Sequence, residues 1–317
     1  MSKKNVFIVG HEGTTGLRIH ERLSGRGDIN LLSIADEDRK DMTKIADIAA
    51  GADLIFLCLP DAASIEVVEA TKDLNCKIID ASTAFRTHPN WAYGFPELGE
   101  SYRQKIATNR YIANPGCHSS GMIAILKPLV EAGIVPADYP VSVFSLTGYS
   151  GGGKKMIGQY EDPEKEVALH APRQYGLGQK HKHLPEVVHT CGLATSPIFS
   201  PIVDDYYAGM EVTIGFHTSH LNNNPTAKDI HDALLAQYKD SQMVNVAPFD
   251  LDATNGLFLA ANENTDLDTM TLYVSGNDDR VMVHAIFDNL GKGASGAAVQ
   301  CMNIALGFPE ETGLAVK

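Results

Sequence analysis

The sequence predicts an α/β protein of two domains, a doubly wound parallel sheet followed by an α+β domain on a mixed or antiparallel sheet. Three observations predict it. The first third alternates short apolar runs with helical patterns, as parallel βα units do. A glycine turn, Gly10-His-Glu-Gly13-Thr-Thr-Gly16, stands between the first apolar run and the first helical pattern. Past Ala132 the texture changes to longer strands separated by polar loops with few helices, which suits an α+β domain.

Taken in order, residues 5–9 read as a buried strand and residues 15–24 as a helix. Residues 31–34, 54–59 and 77–80 are further strands. Leu54-Ile-Phe-Leu-Cys-Leu59 is apolar throughout, as a strand covered on both faces should be. Residues 111–113 form a last short strand before Asn114-Pro-Gly-Cys117, which completes a Rossmann-type nucleotide domain. A helix over 119–132 opens the second domain, whose best strands are 141–146, 210–217, 269–275 and 280–287. Antiparallel pairing is expected there, with an exposed sheet face at which subunits could meet. Residues 293–305 read as a helix of small side chains, which let a backbone or a flat ligand approach closely.

Composition sets bounds. The 317 residues suit about two domains. Lys and Arg total 26 against 39 acids, a formal charge of −13, which repels nucleic acid and anionic lipid. Anionic small molecules remain possible ligands through backbone N–H groups and a few placed cations. No apolar run reaches the ~20 residues of a membrane span. The start, Met1-Ser-Lys-Lys-Asn5, leads into a strand without a signal-peptide pattern. The five cysteines are scattered and form no CxxC pair, so they read as cytoplasmic thiols.

Five constellations carry chemistry. Gly10, Gly13 and Gly16, with Thr14 and Thr15 between them, permit a tight turn and place an anion at a helix N-terminus. An ordinary glycine turn uses the same residues, and the position between strand and helix favours a dinucleotide. Which dinucleotide stays open: Asp36, 20 residues past Gly16, suits the ribose hydroxyl of NAD, while Ser33, Arg39 and Lys40 suit the 2′-phosphate of NADP.

The second is Cys117, which Pro115 and Gly116 deliver by a sharp turn to a helix start. Unpaired N–H groups and the helix dipole there favour the nucleophilic thiolate. The usual fate of a cysteine is a small buried apolar residue, and Cys58, Cys76, Cys191 and Cys301 read that way. The third is His181-Lys-His183-Leu-Pro-Glu186. On an extended segment its two histidines point the same way, and Glu186 could orient one. His-X-His is also a metal spacing, but no further Cys or His cluster completes a shell, so no metal is expected. A general base for the thiol is the better reading. The fourth, Asp80-Ala-Ser-Thr-Ala-Phe-Arg86, follows a strand, where Arg86 could grip an acyl phosphate with its planar fork. The fifth, Tyr149-Ser-Gly-Gly-Gly-Lys-Lys155, is a glycine loop able to cradle a carboxylate or carbonyl.

These motifs, with Asp288-Asn-Leu-Gly-Lys-Gly-Ala-Ser-Gly296, span nearly the whole chain in one order. In that order they resemble the N-acetyl-gamma-glutamyl-phosphate reductases, in the shorter form of that family. The resemblance implies NADPH-dependent reduction of N-acetyl-L-glutamyl 5-phosphate to the 5-semialdehyde, with release of phosphate, in arginine biosynthesis. It implies Cys117 as nucleophile, His183 as acid–base residue and Glu186 in support. Arg86, Asn114, Ser150, Gly151 and His181 would meet substrate. Gly10, Gly13, Thr14, Thr15, Gly16, Ser33, Arg39, Ser82, Asn289 and Lys292 would meet NADP. Residues 1–117 and 289–317 would form the NADP-binding domain, and 118–288 the catalytic and oligomerisation domain of a homodimer or homotetramer.

One departure stands out. The family usually has Tyr-Pro-Thr after the cysteine, and this chain has His118-Ser119-Ser120, which makes His118 a rival for proton transfer. Two other readings compete. A sister reductase acting on aspartyl phosphate or an aminoadipyl derivative would share the mechanism, but Gly116 and the His-Lys-His segment favour the N-acetylglutamyl branch. A non-catalytic NADP-binding sensor would not need the Cys117–His183 pair.

Overall fold

The structure is a computed structural model that describes residues 3–250, 256 and 258–316. The chain divides into two compact units, Met1–Gly116 with Ala294–Ala315 and Cys117–Gly293 with Val316–Lys317. The division places Cys117 and residues 289–293 in the second unit, a few residues from the expected boundaries.

The first unit is built on β1 (Lys4–Val9), β2 (Ile29–Leu32), β3 (Leu54–Leu57), β4 (Lys77–Asp80), β5 (Ala92–Tyr93) and β6 (Tyr111–Ala113). All pair parallel, in the order β2-β1-β3-β4-β6-β5. β3 is buried at every position, as its unbroken apolar run requires of a strand covered twice. Helices α1 (Thr14–Ser24), α2 (Met42–Ala49), α3 (Asp61–Ala70) and α4 (Glu100–Thr108) make the connections. α1 turns Ile19 and Leu23 inward against Val6 and Ile8. Asp41 caps α2 by accepting from the Thr43 and Lys44 amides, a side-chain cap worth ~1 kcal/mol. The C-terminal helix Gly296–Leu306 returns to this unit, where Ala298, Val299, Cys301 and Met302 share its core. Arg26 secures that return, donating to Asn303 Oδ1 at 2.6 Å and the Thr312 carbonyl at 2.9 Å. Strand β2 lies two residues earlier than expected, because its partner β1 begins at Lys4, opposite Ile29.

The second unit opens with α5 (Cys117–Glu131), whose residues 118–126 are all buried. The rest comprises β7 (Ser142–Gly148), α6 (Gly153–Tyr160), β8 (Arg173–Gln174), α7 (Leu184–Cys191), β9 (Ile198–Asp204), β10 (Met210–His217) and α8 (Ala227–Tyr238). It ends with β11 (Val244–Val246), β12 (Met270–Gly276) and β13 (Arg280–Phe287); the C-terminal helix is α9. The sheet runs β11-β12-β13-β10-β7-β9-β8. The expectation of antiparallel pairing holds for most of it, but β7–β9 and β11–β12 are parallel, so the sheet is mixed. Val143, Val212, Ile214 and Val283 are buried on one face. Phe144, Ile198 and Met282 stand exposed on the other, and the register puts all three on that one face. No helix among the described residues is long and apolar enough to cross a membrane.

Candidate active site

In the first unit, β1 has β2 on one side and β3 on the other. The chain order reverses there, at the crevice where doubly wound sheets bind ligands. The glycine turn leaves β1 at that point. Gly10 adopts φ +86°, and a Cβ at Gly16 would stand 2.3 Å from the Gly10 carbonyl oxygen. Only glycines close this turn. Helix α1 then starts at Thr14 with no side-chain cap and no acid in its first turn, and the Thr14 hydroxyl is buried without a partner. An uncapped N-terminus beside an orphaned hydroxyl is what a phosphate would satisfy, so these residues fit a dinucleotide. Thr15 is half-buried in the same turn. Ser33 follows β2 directly and is exposed, as are Asp36, Arg39 and Lys40. Arg39 pairs with Glu12 of the glycine turn, and polar atoms of His11, Glu12 and Asp36 lie within 4.8 Å of one another.

Beyond β4 and β6 the same unit gathers a second set. Ser82 donates to Asp80 Oδ2 at 2.6 Å, and buried Arg86 donates to the Ala81 carbonyl at 3.0 Å. Burial raises the Asp80 carboxyl despite the bonds from Ser82 and the charge of Arg86. Asn114 is buried, with its amide donating to the Ala294 carbonyl at 3.0 Å and its Oδ1 left without a partner.

In the second unit, Cys117 opens α5 and keeps partial exposure. Three of the other thiols are silenced. Desolvation, then the charge of Asp80, pushes Cys58 up to about 12, and burial raises Cys76 and Cys191. Cys301 is buried with its sulfur 3.4 Å from the Gly94 carbonyl. The turn Gly291–Ser295 is a single π turn, a form frequent at functional sites. A Cβ on its Gly293 would sit 3.1 Å from Cys117 Cβ. Lys292, in this turn, is fully buried. Asn289 ties the glycine loop down, donating to Ser150 Oγ at 3.0 Å and accepting from the Gly209 amide at 2.8 Å. Gly151, next to Ser150, is exposed.

The histidines come together here. His183 is the N-cap of α7, buried, and Glu186 is buried in the first turn of that helix. The segment is a turn and not the extended stretch expected, because the Leu184 amide donates back to the His181 carbonyl at 3.0 Å. The two rings therefore meet edge to face, with centroids 4.7 Å apart at 82°. The His183 amide also donates to His181 Nδ1 at 3.3 Å, which keeps that nitrogen free of a proton. His118 lies against both, at 5.5 Å from His181 and 5.7 Å from His183. Its Nδ1 is 2.7 Å from Ser145 Oγ and its Nε2 is 2.6 Å from the Tyr175 hydroxyl. Tyr175 was invisible to sequence reasoning, since 57 residues separate it from its partner and no motif marks it. A pocket of about 430 Å³ opens beside it, lined by Tyr175, Gly176, Gly178, Lys180, His181 and Lys182.

Burial, then the charge of His181, holds His118 down at about 3 from its ordinary 6.5. The folded protein thus refuses a proton that the unfolded chain accepts below ~pH 6.5. Stability is present above that pH and is lost as pH falls towards the folded value. The slope is at most about 1.4 kcal/mol per pH unit. His118→Gln should flatten the urea midpoint between pH 6.5 and 5; an unchanged slope would mean that folded His118 takes up the proton after all.

Residues 5–108 match the family described as semialdehyde dehydrogenase, NAD binding domain. Residues 117–289 match semialdehyde dehydrogenase, dimerisation domain. N-acetyl-gamma-glutamyl-phosphate reductase 2 of Nostoc sp. is 42% identical, covering 99% of this chain and 100% of its own. N-acetyl-gamma-glutamyl-phosphate reductase of Rhizobium etli is 45% identical over 95% of this chain and 98% of its own. Among solved structures, aspartate semialdehyde dehydrogenase II of Vibrio cholerae matches with TM-score 0.72 at 15% identity, covering 96% of this chain and 99% of its own. That last likeness is one of fold.

Proposed function

We infer the function of this chain from the family to which it belongs, the N-acetyl-gamma-glutamyl-phosphate reductases among the semialdehyde dehydrogenases. It reduces N-acetyl-L-glutamyl 5-phosphate to N-acetyl-L-glutamate 5-semialdehyde and releases phosphate, as a step of arginine biosynthesis. The relatives, similar over almost the whole chain, carry the substrate assignment. The observation that carries the chemistry is Cys117, the partly exposed thiol that opens α5 in the same unit as a cluster of three imidazoles.

Cys117 attacks the acyl carbon, phosphate departs, and a thioester remains on the sulfur. NADPH, when bound, supplies the hydride that reduces it. His183 accepts the thiol proton and later delivers one to the thiohemiacetal oxygen, so that the aldehyde can leave and the thiolate return. Glu186 supports His183 from the first turn of α7. Arg86, Asn114, Ser150, Gly151 and His181 hold the substrate. The turn from Gly10 to Gly16, with Thr14 and Thr15, receives the pyrophosphate, and Ser33 and Arg39 receive the 2′-phosphate; Ser82, Asn289 and Lys292 complete the cofactor contacts. The first unit is the NADP-binding domain and the second is catalytic. The chain assembles as a homodimer or homotetramer, a reading that the exposed Phe144, Ile198 and Met282 support, and works in the cytoplasm.

The test is an assay of N-acetylglutamyl phosphate and aspartyl phosphate, each with NADPH and with NADH. N-acetylglutamyl phosphate with NADPH should give the highest kcat/KM. Faster turnover of aspartyl phosphate would overturn the substrate, and a preference for NADH would put Asp36 on the ribose.

A further inference from the structure

We propose that Asp61 is a positioning residue of the reaction: its carboxylate holds Thr83, and through the turn that follows Thr83 it sets where Arg86 meets the phosphate. The proposal rests on Arg86 as the residue that grips that phosphate. Asp61 is an exposed acid in the first turn of α3. Its Oδ1 accepts from the Thr83 amide at 2.9 Å and its Oδ2 from the Thr83 hydroxyl at 2.5 Å. Both oxygens thus engage one residue 22 positions away, in the loop that leaves β4. The helix dipole alone would account for an acid at this position, but it asks for no such partner. Two charge-assisted bonds to one residue fix its orientation as well as its place. Arg86 follows in the same loop and is 8% exposed. Its Nη2 donates to the Ala81 carbonyl at 3.0 Å, and the Ala81 amide donates to the Leu57 carbonyl at 2.9 Å. The loop is thereby tied twice to one connection, to the end of β3 through Ala81 and to the start of α3 through Asp61. Ser82 is held separately, on Asp80 at 2.6 Å, and Phe85 stacks on Trp91 with centroids 4.1 Å apart. Those anchors remain when Asp61 is changed, so the chain should fold. What goes is the restraint at Thr83, between the fixed start of the loop and Arg86.

The experiment runs the reaction backwards on the full-length enzyme, with the semialdehyde, NADP and inorganic phosphate, and reads the KM for phosphate. Arg86→Ala should raise it by about 10–100-fold, the loss expected of a charge-assisted contact. Asp61→Ala should raise it by about 5–10-fold, a part of that loss. Its kcat should change little, since a grip on a ground-state group appears in KM. Asp61→Asn should stay near the wild type, because its amide can accept from the Thr83 N–H and donate to the Thr83 hydroxyl. The double variant decides. In the Arg86→Ala background, Asp61→Ala should raise the KM no further, as expected of two residues that act as one. A second rise of the same size would overturn the proposal, and so would an Asp61→Asn KM equal to that of Asp61→Ala. Weakened NADP binding in step with phosphate would overturn it too, as the mark of a loosened domain. An unmoved KM in Asp61→Ala, with Arg86→Ala still raising it, would sink the proposal alone. An unmoved KM in Arg86→Ala would remove the reading of Arg86, and the proposal with it.

Discussion

Cys117→Ser should abolish reduction of the acyl phosphate while NADPH still binds. The sulfur matters for its charge and softness, and a serine hydroxyl in the same place stays protonated at neutral pH. The expected loss is on the order of 10⁴-fold or more, the scale met when a nucleophile is removed from an enzyme that splits its reaction through a covalent intermediate. Binding should survive because the residues that fit a dinucleotide phosphate, from Gly10 to Gly16, belong to the other compact unit. Two measurements check this: turnover by NADPH absorbance, and binding by nucleotide fluorescence. Retention of more than a few per cent of the rate would mean that no thioester forms. A collapse of NADPH binding would mean that the thiol supports the fold, and the rate would then say nothing about chemistry.

Much of this was legible from local pattern. The strand, glycine turn and helix of residues 4–24 announce themselves because the backbone demands are local: glycine at φ +86° and no room for a Cβ at Gly16. Cys117 was equally readable, since Pro115 and Gly116 force the turn that starts α5. What escaped notice depends on partners distant in sequence. β9 carries Pro201, which argues against a strand, yet the segment pairs in parallel with β7, and β8 covers its other edge for only two residues. The alternation of His181 and His183 is that of an extended segment. The Leu184 amide closes a turn there, and Pro185, at the start of α7, fits a first helical turn. Tyr175 had no sequence signal, because its partner His118 stands 57 residues away.

His183→Asn should cost on the order of 10²–10⁴-fold in turnover, the range for a missing general acid–base group. It should also flatten the neutral-pH limb of the rate profile. Three imidazoles compete for this role, and the geometry separates them. His118 is engaged at both ring nitrogens, by Ser145 and Tyr175. Held at about 3, it cannot carry a proton near pH 7. The departure from the family pattern therefore supplies a fixed neutral ring, and His118→Asn should alter the rate without removing the neutral limb. His181 has its Nδ1 occupied by the His183 amide, and protonation there would eject that donor. His183 remains, buried at the start of α7 with Glu186 one turn along. Its two tasks are separate in time: it takes the thiol proton before acylation, and it gives a proton to the thiohemiacetal oxygen after the hydride arrives. A single-turnover experiment resolves them. With His183→Asn, phosphate release should slow at low pH, where Cys117 is still protonated, and recover as pH rises, while aldehyde release stays slow throughout. If His118→Asn gives that pattern and His183→Asn does not, the proton carrier is the imidazole next to the nucleophile.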